Sequence, residues 1–162
     1  MPSTNESLRQ ETYCLFRHGT NWMAFPVAVI RKVATKTDLV VVPLSPPMLA
    51  GICHHHGDFL PILTLDPILG RNEQGCEEQM LIIDDLDGLW GVQVDEVKTL
   101  ARLEVSTASS EKGDNDLHSL VRGWATYEQR VVRVLDHFRI RELAERELNS
   151  SLRNLFPAAK NT

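Results

Sequence analysis

The chain has 162 residues, enough for one domain of ordinary size or for two very small ones that share a core. Hydrophobic residues make up 43% and charged residues 24% of the sequence, which excludes disorder over the whole length. The formal net charge is −5, and the basic residues form no cluster. We therefore expect no nucleic-acid binding, because such binding depends on neutralising phosphates.

Two further features concern the cellular compartment. The longest apolar run, residues 23–30, contains Pro26 and is too short to span a bilayer. The three cysteines are an odd number at wide spacing, which is typical of a reducing compartment. These features predict a cytoplasmic protein that does not insert into a membrane.

Short apolar segments that flank polar turns predict a protein made mainly of β-strands. A β-branched run at residues 40–42, ended by Pro43, indicates a further strand. This spacing favours small barrels or a sandwich over alternating strands and helices. The predicted hairpins pair residues 13–16 with 22–25, 49–53 with 59–63, 79–83 with 89–94, and 120–127 with 130–135.

The C-terminal segment has a different pattern. Apolar residues recur there at three- and four-residue spacing, which predicts an amphipathic helix over residues 137–156. The helix either packs its apolar stripe on the strands or presents it to a partner. The stripe consists of Ile140, Ala144, Leu148, Leu152 and Leu155.

A weak internal repeat divides the chain into approximate halves, residues 13–70 and 79–136. Residues 49–52 resemble residues 121–124, at an offset of about 70 residues. Each half supplies about five short strands, too few to bury a core alone. We expect the two halves to pack together.

Three consecutive histidines, His54 to His56, occupy one predicted turn. In a strand, His54 and His56 would share a face, so that a third ligand could complete a zinc or nickel site. The same rings titrate near neutral pH. The alternative function is therefore a metal- or pH-responsive binding module. The run lacks the ligand spacing of known zinc motifs, and we predict no metal site.

Catalytic motifs are not recognisable in the sequence. It contains no nucleophile-elbow pattern and no glycine-rich phosphate loop. The clustered aspartates lie at predicted turns, where solvated carboxylates are ordinary. We predict a binding protein without enzymatic activity and without a cofactor.

An ordered set of short motifs resembles the CheW-like domain family over residues 11–144. The resemblance implies two intertwined five-stranded SH3-like barrels, with strands exchanged between the halves, followed by the C-terminal helix. The motifs are Phe25-Pro26-Val27, Val41-Val42-Pro43, Gly51-Ile52, Leu60-Pro61-Ile62, Trp90 to Val97, Val121-Arg122-Gly123 and Val134-Leu135-Asp136.

The same resemblance implies a function. Family members are non-enzymatic scaffold or coupling proteins of bacterial chemosensory arrays. They link the cytoplasmic tip of a chemoreceptor to the regulatory domain of a CheA-type histidine kinase. We therefore expect these two partners, recruitment to membrane-associated receptor arrays, and a role in an accessory, non-flagellar system.

Positions that match the family's motifs identify candidate partner-binding residues. His56 stands where relatives carry Arg, and Lys32 replaces the usual acidic residue. The weaker charge at position 56 and the reversed charge at position 32 should change partner choice. The alternative is that both are surface positions where substitutions have little effect on binding. Residues 94–97 could instead be core, since Val92 and Val94 alternate. The candidates are Ile30, Lys32, Gly51, His56, Val94, Asp95 and Val97.

Overall fold

The computed structural model describes residues 11–35, 37–70, 78–86, 88–107 and 116–155. These residues form ten strands, three α-helices and one short 3-10 helix, Val27–Val29. The strands are β1 (Glu11–His18), β2 (Asn21–Pro26), β3 (Ile30–Thr35), β4 (Leu49–His55), β5 (Asp58–Thr64), β6 (Gln79–Asp85), β7 (Gly88–Val94), β8 (Glu96–Leu103), β9 (Val121–Tyr127) and β10 (Arg130–Leu135). The helices are α1 (Asp66–Leu69), α2 (Asp116–Leu120) and α3 (His137–Leu155).

The strands form two five-stranded sheets, and each sheet takes strands from early and late parts of the chain. The first sheet has the order β8-β1-β2-β10-β9, and the second has the order β3-β6-β7-β5-β4. The two sheets have the same arrangement with strand numbers that differ by five. β1 and β2 of the first sheet correspond to β6 and β7 of the second, and β8, β9 and β10 correspond to β3, β4 and β5. The pairs β2–β10 and β5–β7 are parallel, and the other neighbours are antiparallel. The predicted fold, mainly β with two five-stranded units and a C-terminal helix, is confirmed.

Each sheet closes into a barrel through an isolated bridge beyond its edge strand. Ser106 and Trp124 exchange backbone N–H···O bonds of 2.8 Å, which join the chain after β8 to β9. Val40 and Ile52 exchange bonds of 2.9 Å, which join the chain after β3 to β4. These bridges leave little free sheet edge.

The predicted strand over residues 40–42 is wrong beyond Val40, which makes only this bridge. Val41 is 70% exposed, so its β-branched side chain has no sheet face to pack against. Pro43 has no N–H group to donate, and it ends the extended segment.

A central core lies between the two barrels, in addition to a core inside each barrel. On β1, Tyr13 and Leu15 belong to the core of the first barrel. Cys14 and Phe16, which point to the other face of the strand, belong to the central core. β6 repeats this arrangement between the second barrel and the central core. Strands that are buried on both faces account for the nearly continuous apolar runs in the sequence.

Helix α3 is anchored at its first turns. The Asp136 carboxylate accepts hydrogen bonds from the backbone N–H groups of Phe138 (3.0 Å) and Arg139 (3.3 Å), which is an N-cap arrangement. Ile140 is fully buried in the central core. Arg141 Nη1 lies 2.9 Å from Asp85 Oδ1 in the second sheet. The beginning of the helix therefore packs on the barrels, as one of the two predictions expected.

The second half of α3 presents apolar side chains to solvent. Leu148 and Leu152 are 39% and 46% exposed, whereas Leu143 and Ala144 pack against the central core. The side chain of Leu155 and the predicted helical residue 156 lie outside the described residues. Within the described part of the chain, no helix is long and apolar enough to cross a membrane.

Gly51 and Gly123 occupy equivalent positions where the two barrels close. A Cβ atom on Gly51 would lie 2.8 Å from the Cβ of Leu39 and 2.8 Å from the carbonyl oxygen of Val40. A Cβ atom on Gly123 would overlap Val105 and lie 2.9 Å from the carbonyl oxygen of Ser106. A backbone carbonyl cannot move aside as a flexible side chain can. A side chain at either glycine would therefore push the closing segment, which carries the carbonyl, away from the barrel.

We predict that Gly123→Ala lowers the free energy of unfolding by about 1–3 kcal/mol, because the added methyl group overpacks the closure of the first barrel. Urea denaturation measures the change. Thr126→Ala, at an exposed position on the same strand, is the matched control and should change stability by no more than about 0.5 kcal/mol. Equal stability of Gly123→Ala and the unsubstituted protein would contradict this account.

Candidate partner-binding site

The β4–β5 hairpin ends in a tight turn made by His56 and Gly57. Their φ angles are 48° and 85°, the left-handed conformation that a two-residue hairpin turn of type I′ requires at both positions. Glycine adopts it freely, and histidine is one of the residues that tolerate it. The strand register pairs His54 with Phe59 and His55 with Asp58. The turn therefore holds three imidazoles and one carboxylate at the end of the second barrel.

The aromatic rings of this hairpin pack in two pairs. The rings of His54 and Phe59 have centroids 5.2 Å apart, and the rings of His55 and His56 lie edge to face at 4.2 Å. Phe59 nevertheless leaves 73% of its surface exposed. An aromatic side chain this exposed contributes little to the core and is available for contact.

Lys32 of β3 approaches the same hairpin. The pKa of His55 is lowered by partial burial first and then by the positive charges of His56 and Lys32, while Asp58 acts in the opposite direction. Closure of the second barrel accounts for this proximity, since β3 and β4 are at opposite ends of the sheet order. Lys32 and His56, two of the predicted binding residues, are both exposed, and both act electrostatically on His55.

The other predicted residues lie deeper. Ile30 and Val97 are half-buried and pack against the central core. Val94 is fully buried there, which favours the core alternative for this position. Gly51 is buried behind the bridge that closes the second barrel. Partner contact by these four residues stays a prediction.

Asp95 is also buried and holds together the turn that follows β1. Its carboxylate accepts hydrogen bonds from the Gly19 backbone N–H at 2.7 Å and from Arg17 Nη1 at 3.3 Å. Its side chain is only 4% exposed. Asp95 therefore links the β1–β2 turn of the first sheet to the connection between β7 and β8.

His18 completes this junction and was not identified from the sequence. Its ring is fully buried, with Nε2 at 2.6 Å from Asp66 Oδ1 and Nδ1 at 3.7 Å from Asp95 Oδ1. Asp66 is the first residue of α1, which follows β5 of the second sheet. A histidine beside a hairpin glycine is ordinarily a surface residue, so the sequence carries no signal for this role.

A separate apolar groove runs between α3 and the second barrel. It encloses about 360 Å³, and the exposed Leu148 forms part of one wall. Asp85, which also accepts a hydrogen bond of 3.0 Å from the Trp90 indole N–H, helps to hold α3 over the groove. Its apolar lining includes Val42, Met48, Leu63, Trp90, Ala144 and Leu148.

Within the described residues, the histidine turn belongs to no group of side chains that could hold a metal ion. Among the residues that the structure describes, no three His, Cys, Asp or Glu side chains come together in a way that could hold a metal ion. The ring contacts of the turn are with Phe59 and between histidines. The metal-responsive form of the alternative function therefore has no support in the described part of the chain.

We predict that Lys32→Gln raises the pKa of His55, because a neighbouring positive charge that disfavours the imidazolium is removed. NMR titration of the imidazole protons measures the pKa. Lys98→Gln is the matched control, since Lys98 lies on β8 and pairs with Glu96. An unchanged His55 pKa in Lys32→Gln would show that Lys32 does not act on the hairpin.

We also predict that Asp66→Ala lowers the free energy of unfolding by about 1–3 kcal/mol, because it leaves the buried His18 without its 2.6 Å partner. The control is Asp84→Ala, which removes an exposed pair with Arg31 and should cost less than about 1 kcal/mol. Thermal or urea unfolding compares the two. If both variants lose the same stability, the junction contributes no more than a surface pair.

Comparisons with known proteins agree with this fold. The CheW-like domain family model matches residues 12–145. Among solved structures, the chain is similar to the scaffolding protein TtCheW from Thermoanaerobacter tengcongensis, with a TM-score of 0.71 and 16% identity over 80% of this chain and 92% of that one. No curated protein matches the chain. Since the family model spans both barrels and the start of α3, the chain belongs to the CheW-like domain family.

Proposed function

We propose that this protein is a non-enzymatic scaffold that couples chemoreceptors to a CheA-type histidine kinase in a bacterial chemosensory array. The observation that carries the proposal is the family match over residues 12–145, because CheW-like proteins are scaffold and coupling proteins without enzymatic activity. The similar structure is likewise that of a scaffolding protein. The proposed partners are the regulatory domain of the kinase and the cytoplasmic tip of a receptor.

A coupling protein must contact two partners at once and so needs two separate surfaces. The hairpin tip, which includes Lys32, His56 and Phe59, is one exposed candidate. The apolar groove beside α3 shares no residue with this tip. Both are held by barrels with well-packed cores, and rigid surfaces bind with a smaller loss of conformational entropy. This arrangement supports a linking role.

The two departures from the family's pattern support a non-standard partner. Lys32 presents a positive charge where relatives carry an acidic residue, and it lies close enough to the histidine turn to lower the pKa of His55. A titratable ring at position 56 replaces a permanently charged guanidinium. An accessory, non-flagellar system with its own receptors, at the cytoplasmic face of membrane-associated arrays, fits this changed charge pattern.

The direct test is calorimetry with the full chain, a CheA-type kinase regulatory domain and a receptor tip from the same genome. We expect saturable binding of each partner, and binding of the second partner to the complex with the first. A folded sample that binds none of the kinase regulatory domains of that genome would refute the coupling function.

We predict that the double substitution Lys32→Glu with His56→Arg shifts affinity by about tenfold toward receptor tips of standard chemosensory systems, because it restores the family's charge pattern. Lys98→Glu with His137→Arg makes equal charge changes away from the hairpin and serves as the control. Identical receptor affinities of the three proteins would place Lys32 and His56 outside the interface.

A further inference from the structure

We propose that the β4–β5 hairpin tip and Lys32 form a docking surface for an acidic segment of a partner protein, and that this docking strengthens as the pH falls. The surface consists of Lys32, His54, His55, His56 and Phe59. The inference rests on the proposed function in one respect, since it specifies the chemistry of a partner at a surface already assigned to partner binding.

The first support is the charge of the surface. The groups that face His55 are His56 on the same turn, Lys32 on β3 and Asp58 on β5. When the imidazoles are neutral, the charges of Lys32 and Asp58 balance. Protonation of His55 then adds one uncompensated positive charge. A carboxylate-bearing partner is the ligand that complements such a surface.

The second support is a fixed apolar anchor at the same place. Phe59 is 73% exposed, and its ring is held against His54 at 5.2 Å. An aromatic ring with few free rotamers, surrounded by polar groups, is the usual composition of an interface centre. The tight turn at His56 and Gly57 fixes the position of the rings around it. The partner segment should therefore carry an apolar residue among its acidic ones.

The third support is the linkage between protonation and binding. The positive charges of His56 and Lys32 contribute to the lowered pKa of His55. A bound carboxylate offsets these charges and raises that pKa, so the complex takes up protons. Because linkage is reciprocal, affinity must rise as the pH falls through the range in which His55 titrates.

A protein segment fits this surface better than a nucleic acid or a membrane does. The chain carries a net charge of −5, which repels phosphate polymers and anionic bilayers at longer range. One lysine and one phenylalanine also provide too little binding energy for a membrane surface. A short acidic segment can contact the tip without approaching the rest of the chain.

The probe is a soluble aspartate-rich peptide that contains one leucine, and its carboxylates stay ionised throughout the titration. Fluorescence anisotropy at about pH 7.5 and about pH 5.5 should show about tenfold tighter binding at the lower value. The triple variant His54→Asn, His55→Asn and His56→Asn should abolish this difference, whereas Phe59→Ser should weaken binding at both pH values. His137→Asn, on α3, is the control and should behave like the unsubstituted protein.

Equal affinity at the two pH values would overturn the inference, as would a pH dependence that survives in the triple histidine variant. Binding to phosphatidylserine vesicles in place of the peptide would also overturn it. NMR titration provides a second measurement, since the peptide should raise the pKa of His55. If the kinase and the receptor bind but the peptide does not, this inference is refuted and the coupling function is not. If the peptide binds but neither the kinase nor the receptor does, the coupling function is refuted and this inference is not.

Discussion

The central core between the two barrels is the constraint on which the rest of the structure depends. β1 and β6 point alternate side chains into a barrel and into this shared layer, so each strand is buried on both faces. A strand can be buried in this way only when another layer covers it, and here each barrel covers the other. Ile140 of α3 extends the same core. Because the faces that meet are used for folding, they are not available to partners.

The hairpins could be predicted from the sequence because their signals are local: apolar segments flank a polar turn. The pairing of distant strands could not, since nothing in β2 specifies that β10 lies parallel to it. β3 and β8 were also missed, because their apolar residues do not keep to one face: Val33 of β3 and Leu100 of β8 are exposed. Helices α1 and α2 have only 4 and 5 residues, too few to show a periodic pattern.

The candidate site shows what a family resemblance identifies and what it leaves open. Motif matching located Lys32 and His56, and the barrel closure then explains why residues from separate strands meet. The same matching could not separate surface from core at Val94, because a strand buried on both faces has no polar side to reveal its orientation. Histidine is also ambiguous in sequence: His56 is exposed at a turn, whereas His18 lies fully buried between carboxylates.

The exchanged strands have a consequence for biosynthesis. β1 and β2 leave the ribosome first, yet Thr12 pairs with Arg102 and Met23 pairs with Arg133. The edge of β1 has no partner until β8 is made, and the edge of β2 has none until β10 is made. Such long-range pairing slows folding, and free strand edges favour association with other chains. The N-terminal hairpin therefore cannot complete its sheet until β10 has been synthesised.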